Sequence, residues 1–203
     1  MFTNKNCFIF DFDGVIIDSV EVKNNAFFNL YAHVELSKRE KIYSYLKKNQ
    51  GVSRYQKIFH IEHEYFGNSD QRKINKKIKE FSNNLYREVL NCKLHFDMID
   101  FIDILKEKNK VYCSVVSATP DDELLKIIEV KKLTQRFDFI YGSSRSKIAC
   151  ISDILKQIEC SIDSAIYFGD SESDLEVAKI LNIDFIGLGP FFNNKKIKDL
   201  WAF

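Results

Sequence analysis

The sequence predicts an α/β protein, a Rossmann-like parallel sheet with helices on both faces into which a block of helices is inserted. From about residue 96 onward, short β-branched or aromatic runs alternate with stretches of helical period, the pattern of a parallel sheet covered on both sides. Between residues 20 and 95, apolar residues recur at spacings of three and four with no strand signal. A lone apolar run, Cys7 to Phe10, precedes that block. It cannot satisfy its backbone by itself, so it must join the later strands in one sheet.

The elements come in this order. Cys7 to Phe10 reads as a buried strand, running directly into Asp11, Phe12, Asp13 and Gly14. Val22, Ala26, Phe27, Leu30 and Val34 mark a first amphipathic helix; Ile42, Tyr45 and Leu46 mark a second, closed by Gly51. Ser53 caps a third helix carrying Tyr55, Ile58, Phe59 and Phe66, and Ile74, Ile78, Phe81, Leu85 and Val89 form a fourth stripe. Met98, Phe101, Ile102 and Leu105 make the next helical face, followed by a strand at Val111 to Val116 and a helix holding Leu124, Leu125, Ile127 and Ile128. Phe137 to Tyr141 is a strand, Ile148 to Ile158 a helix, Ala165 to Phe168 a strand, Leu175 to Leu181 a helix and Phe185 to Leu188 a final strand. This organisation gives a discontinuous core, residues 1–18 and 96–203, and a helical insertion, residues 19–95.

Composition narrows the classes of partner. With 203 residues, 45% of them hydrophobic, and a net charge of +1, the chain is expected to fold around a proper core and to bind neither nucleic acid nor a membrane surface. No stretch approaches the roughly 20 apolar residues of a membrane span. The apolar run near the N-terminus stops after four residues at Asp11, so no signal peptide is expected. Five cysteines without a CxxC pair read as reduced, mostly buried thiols of a cytoplasmic protein. The expected assembly is a monomer or a homodimer. Residues 20–95 hold 15 Lys and Arg against 8 Asp and Glu, and the rest of the chain holds 15 against 21. That basic segment is either a solvated face or a source of attraction for an anionic substrate.

In open parallel sheets ligands bind beyond the carboxyl ends of the strands, so the polar residues there are read together. They are Asp11 and Asp13; Ser117 with Thr119; Lys147, at the start of a helix; and Gly169 to Asp174, a stretch containing Asp170 and Asp174. Asp11 and Asp13, two apart on an extended chain, point the same way. Carboxylates, a hydroxyl and an amine together can hold a magnesium ion and a phosphate. Each also has a plain structural reading: Asp170 as a helix cap, Asp174 as a first-turn carboxylate, Ser117 as a turn residue and Lys147 as a surface lysine. Arg145 rivals Lys147 for the cationic role, and Ser114 rivals Ser117 for the hydroxyl. His60 and His63, three apart on a helix, have a spacing that can bind metal.

In this order the four stretches resemble the motifs of the haloacid dehalogenase superfamily of phosphohydrolases. DxDG stands at Asp11 to Gly14, Ser117 fits the second motif, Lys147 the third and Gly169 to Asp174 the fourth. The helical insertion is similar to the C1 cap of that family, and the pattern looks closest to its phosphoglycolate phosphatase and β-phosphoglucomutase branch. The resemblance implies that Asp11 attacks phosphorus to form an aspartyl-phosphate, while Asp13 protonates the leaving oxygen and then activates water. It implies Mg2+ held by Asp11, Asp170 and the backbone carbonyl of Asp13, with Asp174 as ligand or supporting acceptor. Ser117, Lys147 and backbone amides near Phe12 and Ala118 would bind the phosphoryl oxygens.

Gly51-Val52-Ser53-Arg54 breaks the helical run with a turn, helix-start amides and a guanidinium. In capped members of the family such a loop reaches over the active site, which makes Ser53 and Arg54 candidates for substrate selection. The turn also resembles family members associated with surface-sugar biosynthesis. The expected activity is therefore Mg-dependent hydrolysis of a small phosphorylated metabolite such as a sugar phosphate. The alternatives are a phosphomutase of the β-phosphoglucomutase type and a non-catalytic binding or regulatory module on the same fold.

Overall fold

A computed structural model describes residues 2, 4–49, 51–108, 110–193 and 195–200. The chain divides into two compact units, Met1–Asp18 with Lys93–Phe203, and Ser19–Cys92.

The first unit is built on a parallel sheet of β1 (Cys7–Phe10), β2 (Tyr112–Val116), β3 (Phe139–Tyr141), β4 (Ala165–Gly169) and β5 (Asp184–Gly187), in the order β3-β2-β1-β4-β5. β1 is central, and every one of its residues is buried, as expected of a strand covered on both faces. Its alternation sorts two cores. Cys7 and Ile9 join Cys150, Ile151 and Ile154 of α7 (Lys147–Gln157) and Ala178 of α8 (Glu172–Leu181). Phe8 and Phe10 pack in an aromatic cluster with Phe168 and with Phe101 of α5 (Phe96–Lys106), where the Phe10 and Phe168 rings stack at 5.0 Å. α6 (Asp121–Val130) connects β2 to β3.

Register brings the strand ends together. Phe10 pairs with Val115 on one side and Phe168 on the other, so the chain leaves β1, β2 and β4 at one edge of the sheet. The order reverses at β1: β2 and β3 lie to one side and β4 and β5 to the other, which opens a crevice between β1 and β4. Gly14, at φ +76°, turns the chain sharply after Asp13, with its N–H donating to Ile17 O at 2.8 Å. Ile16 to Asp18 then pair with Lys93 to His95, closing the base of the insertion within this unit.

The second unit contains α1 (Val20–Leu30), α2 (Leu36–Lys48), α3 (Arg54–Phe66) and α4 (Gln71–Asn91). Phe27, Tyr31, Ile42, Leu46, Ile58, Ile61, Ile74, Phe81, Leu85 and Val89 are buried there, and the Phe27 and Phe81 rings meet at 4.6 Å. Buried Glu62 is satisfied by Lys77 at 2.6 Å and by Asn68 at 3.1 Å.

Some boundaries differ from expectation. Val34 lies outside α1, which ends at Leu30 because a separate helix begins at Leu36 with the Glu35 carboxylate as its cap. α2 ends at Lys48 with Asn49 as its cap, before Gly51 is reached; the left-handed glycine cap is Gly67, after α3. The core unit resumes at Lys93, three residues before the expected 96. The five cysteines are thiols, none of them in a disulfide among the described residues, and four of them are buried. Among the described residues no helix is long and apolar enough to cross a membrane.

Candidate active site

Asp11 is the first residue beyond β1, held there by its N–H donating to Phe168 O at 2.8 Å. Its carboxylate is buried, accepts from Phe12 N at 2.7 Å and lies 3.0 Å from Lys147 Nζ. Lys147 opens α7, whose start is fixed by Ser146 capping Ala149 N at 3.2 Å. The preceding loop is tied to Asp121, which accepts from Gly142 N and Ser144 N, each at 3.0 Å. Gly142 is required where it stands, because a Cβ there would lie 2.5 Å from Thr119 O.

The three hydrogens of the Lys147 ammonium have three partners: Asp11, Asp174 Oδ1 at 2.6 Å and the Tyr167 hydroxyl at 3.2 Å. Asp174, fully buried, has its own acceptor positions filled. Oδ1 takes bonds from Lys147 and from Tyr167, and Oδ2 takes bonds from Ser171 Oγ at 2.6 Å and Ser171 N at 3.2 Å. Ser171 and Asp174 form a capping box at the start of α8, so the same contacts that begin the helix aim the carboxylate at Lys147. Gly169 makes room for this, since a Cβ there would sit 2.4 Å from Asp174 Cβ.

Carboxylate oxygens of Asp11, Asp170 and Asp174 lie within 4.8 Å of one another, the one grouping among the described residues with the donors and spacing of a metal site. The electrostatics agree with a site built for a cation. Burial pushes Asp11 up to about 7 against the pull of Lys147, with Asp174 and Asp13 adding repulsion. Burial and the charges of Asp11 and Asp174 hold Asp170 well above the usual carboxylate range. Burial also pushes Asp174 up, but Lys147 and the bonds from Lys147, Ser171 and Tyr167 outweigh it and hold the carboxyl below the usual range. Burial lowers Lys147, yet Asp11 and Asp174 more than reverse that, so its ammonium stays charged. Hard oxygen donors at this spacing could hold a metal ion.

Ser117 and Thr119 come after β2 and are both buried. Ser117 N donates to Tyr141 O at 2.9 Å, and Ser117 Oγ accepts from Thr119 N at 3.1 Å. Asp13 is held by a different contact from Asp11: its Oδ2 accepts from Thr119 Oγ1 at 3.1 Å. Ala118 lies in the same loop between them.

The rival residues make different contacts. Arg145 is exposed and turns to Asp153, 3.0 Å away, whereas Lys147 faces Asp11 and Asp174. Ser114 is buried inside β2, away from the strand end, with no partner for its hydroxyl among the described residues. His60 stacks on Tyr45 at 4.2 Å and His63 Nδ1 lies 2.9 Å from Glu64 Oε1, ring and hydrogen-bond contacts that engage both. In the helical unit, Ser53 caps α3 by accepting from Gln56 N at 3.4 Å, and Arg54, its first residue, is buried.

Three residues carry more of the site than their sequence signal suggested. Tyr167 places its hydroxyl between Lys147 and Asp174, Ser171 saturates Asp174, and Thr119 reaches Asp13. A tyrosine inside a fully buried strand was the available clue, since a buried phenol needs a partner.

Residues 8–188 match the family model described as haloacid dehalogenase-like hydrolase. The chain belongs to that family. No curated protein matches it. Among solved structures it is similar to a Bacteroides fragilis protein described as a haloacid dehalogenase-like hydrolase, with 18% identity, a TM-score of 0.72, and 91% of this chain and 87% of the other covered. It is likewise similar to a β-phosphoglucomutase from Clostridium difficile, with 20% identity, a TM-score of 0.73 and coverage of 92% and 86%. A third, a predicted phosphoglycolate phosphatase from Haemophilus somnus, has 15% identity, a TM-score of 0.70 and coverage of 93% and 87%. At these identities the likeness establishes the fold. The parallel α/β architecture is that of these haloacid dehalogenase-like proteins.

Proposed function

We propose that the protein is a Mg-dependent phosphatase that hydrolyses a small phosphomonoester, a sugar phosphate or similar metabolite, through an aspartyl-phosphate. One observation carries this reading: a buried Asp11 carboxylate 3.0 Å from Lys147, in a group of acids spaced to share a cation. Asp11 and Asp170, with the Asp13 backbone carbonyl, would hold Mg2+, and Asp174, whose oxygens already accept four protein bonds, supports them through Lys147. The ion supplies charge neutralisation at the phosphoryl oxygens.

In this reading an Asp11 oxygen bonds to phosphorus while the ester P–O bond breaks and its electron pair stays on the leaving oxygen. Asp13 gives that oxygen its proton. Water then attacks phosphorus, losing a proton to Asp13, and the bond to Asp11 breaks to release phosphate. Lys147, the Ser117 hydroxyl and the amides near Phe12 and Ala118 bind the phosphoryl oxygens, the Phe12 amide exchanging its present bond to Asp11. We assign substrate selection to the helical insertion, with Ser53 and Arg54 as its determinants, and place the protein in the cytoplasm, where five free thiols stay reduced.

The test is a phosphatase screen with magnesium over aryl phosphates and a metabolite panel. Turnover is expected in the wild type and absent in a folded Asp11→Asn; retained activity in that variant removes Asp11 as nucleophile. Arg54→Ala is expected to alter the preference within the panel. The likeness to a β-phosphoglucomutase favours a second reading, phosphomutase, in which the aspartyl-phosphate returns its phosphoryl group to the bound intermediate. Incubation with a sugar bisphosphate separates the two, isomerised monophosphate marking the mutase and free phosphate the phosphatase. A folded, magnesium-loaded protein that releases no phosphate and isomerises nothing would be a binding module instead.

A further inference from the structure

Three of the contacts of Thr119 bear on the candidate site. Its hydroxyl lies 3.1 Å from Asp13 Oδ2, its N–H donates to Ser117 Oγ at 3.1 Å, and its carbonyl accepts from Ser143 N at 2.9 Å. The side chain is buried, and the carbonyl is packed so closely against Gly142 that a Cβ there would approach it to 2.5 Å. Backbone contacts on both sides therefore fix the main chain of the residue whose hydroxyl meets Asp13.

We propose that Thr119 is a positioning residue for proton transfer at this site, an inference that rests on the phosphoryl-transfer reading above. A carboxyl that must meet a leaving oxygen needs one oxygen held and the other presented. The Thr119 hydroxyl holds Asp13 Oδ2, so that Oδ1 carries the proton to the leaving oxygen as the ester P–O bond breaks. The Thr119 N–H occupies a lone pair of Ser117 Oγ, which leaves the Ser117 hydroxyl hydrogen to donate to a phosphoryl oxygen. One residue thus sets the acid and the phosphoryl donor in register, by its side chain and its backbone respectively. The two roles separate by mutation, because a substitution removes only the hydroxyl.

The test compares a good leaving group, 4-nitrophenyl phosphate, which departs without protonation, with an alkyl monophosphate, which needs a proton. The quantity is kcat/KM, which reports leaving-group departure whatever limits the later hydrolysis. Thr119→Val is expected to lower kcat/KM for the alkyl phosphate about 10- to 100-fold and for the nitrophenyl ester about threefold or less. Thr119→Ser restores the alkyl rate, and inhibition by inorganic phosphate stays within about twofold in both variants, because the N–H to Ser117 is retained. Thr119→Ala, checked for fold by circular dichroism, must show the same substrate split as the valine variant.

Asp13→Asn is the reference. If it discriminates between the two esters and Thr119→Val lowers both equally or neither, the positioning role is overturned while the acid assignment stands. If Asp13→Asn itself does not discriminate, the acid assignment is wrong and the role of Thr119 falls with it.

Discussion

Lys147 Nζ lies 2.6 Å from Asp174 Oδ1, and that pair is buried, with the lysine side chain 10% and the aspartate 0% exposed. The ammonium also faces Asp11, so a single cation serves two buried acids. Removing one partner of such a set leaves charge stranded, whereas the intact set is close to neutral in its contribution. Lys147→Met is expected to lower the urea-unfolding free energy of the metal-free protein by about 3 to 5 kcal/mol and to abolish turnover. Magnesium should recover part of the lost stability by replacing the missing positive charge; a deficit that magnesium leaves untouched counts against a cation at Asp11 and Asp170.

The metal-free protein should lose stability as pH rises from about 4 to about 7. Burial above all pushes the Asp11 carboxyl up to about 7 from an ordinary 3.8. A raised carboxyl favours the folded state while protonated. That advantage is complete below the unfolded value and lost as pH climbs through the folded one. Asp170 is shifted in the same direction and reinforces the trend; Asp174, held low, acts only at more acidic pH. Thermal unfolding in chelator at pH 5, 6, 7 and 8 reads this directly. The midpoint should fall across the series and Asp11→Asn should flatten it, while a midpoint that rises contradicts the assignment.

Gly169→Ala tests the packing behind Asp174. The added Cβ would meet Asp174 Cβ at 2.4 Å and Cγ at 2.7 Å, and both partners are tied to backbone, β4 on one side and the first turn of α8 on the other. The expected cost is about 1 to 3 kcal/mol in chemical denaturation. Turnover should fall further than stability explains, because the carboxylate is driven off its bond to Lys147. Wild-type kinetics in a folded variant would show that the acid can shift without consequence.

Ser114→Ala is expected to stabilise. The Ser114 hydroxyl is buried in β2 with no hydrogen-bond partner among the described residues, so the substitution removes an unsatisfied group and creates almost no cavity. A gain of about 1 kcal/mol is anticipated from denaturation curves. A loss instead would reveal a contact that the hydroxyl makes.

Much of this was legible in the sequence because it is local. The strand at Cys7 to Phe10, the helical stripe from Ile74 to Val89 and the alternation after residue 96 depend on side-chain period, which the chain carries wherever it folds. Asp11, Asp13, Ser117, Lys147 and Asp170 could be marked as a set because they stand just past strand ends or open helices. Helix ends were less legible. Val34 continued the spacing of α1 in the sequence, but the Glu35 cap starts a new helix and takes precedence over the period.

Which residues stand at the carboxyl edge of a parallel sheet follows from the chain alone, since that needs only the order of strands and the chemistry of the residues just past each one. Which of them meet depends on the tertiary structure. Lys147 and not Arg145 enters the site because the Ser146 cap opens the helix between them and Arg145 finds Asp153 instead. Thr119 meets Asp13 across 106 residues, and Tyr167 meets Asp174 because β4 and α8 pack on one face of the sheet. Such contacts depend on strand register and on which acceptors remain unfilled in a buried space, and no local pattern in the chain encodes either.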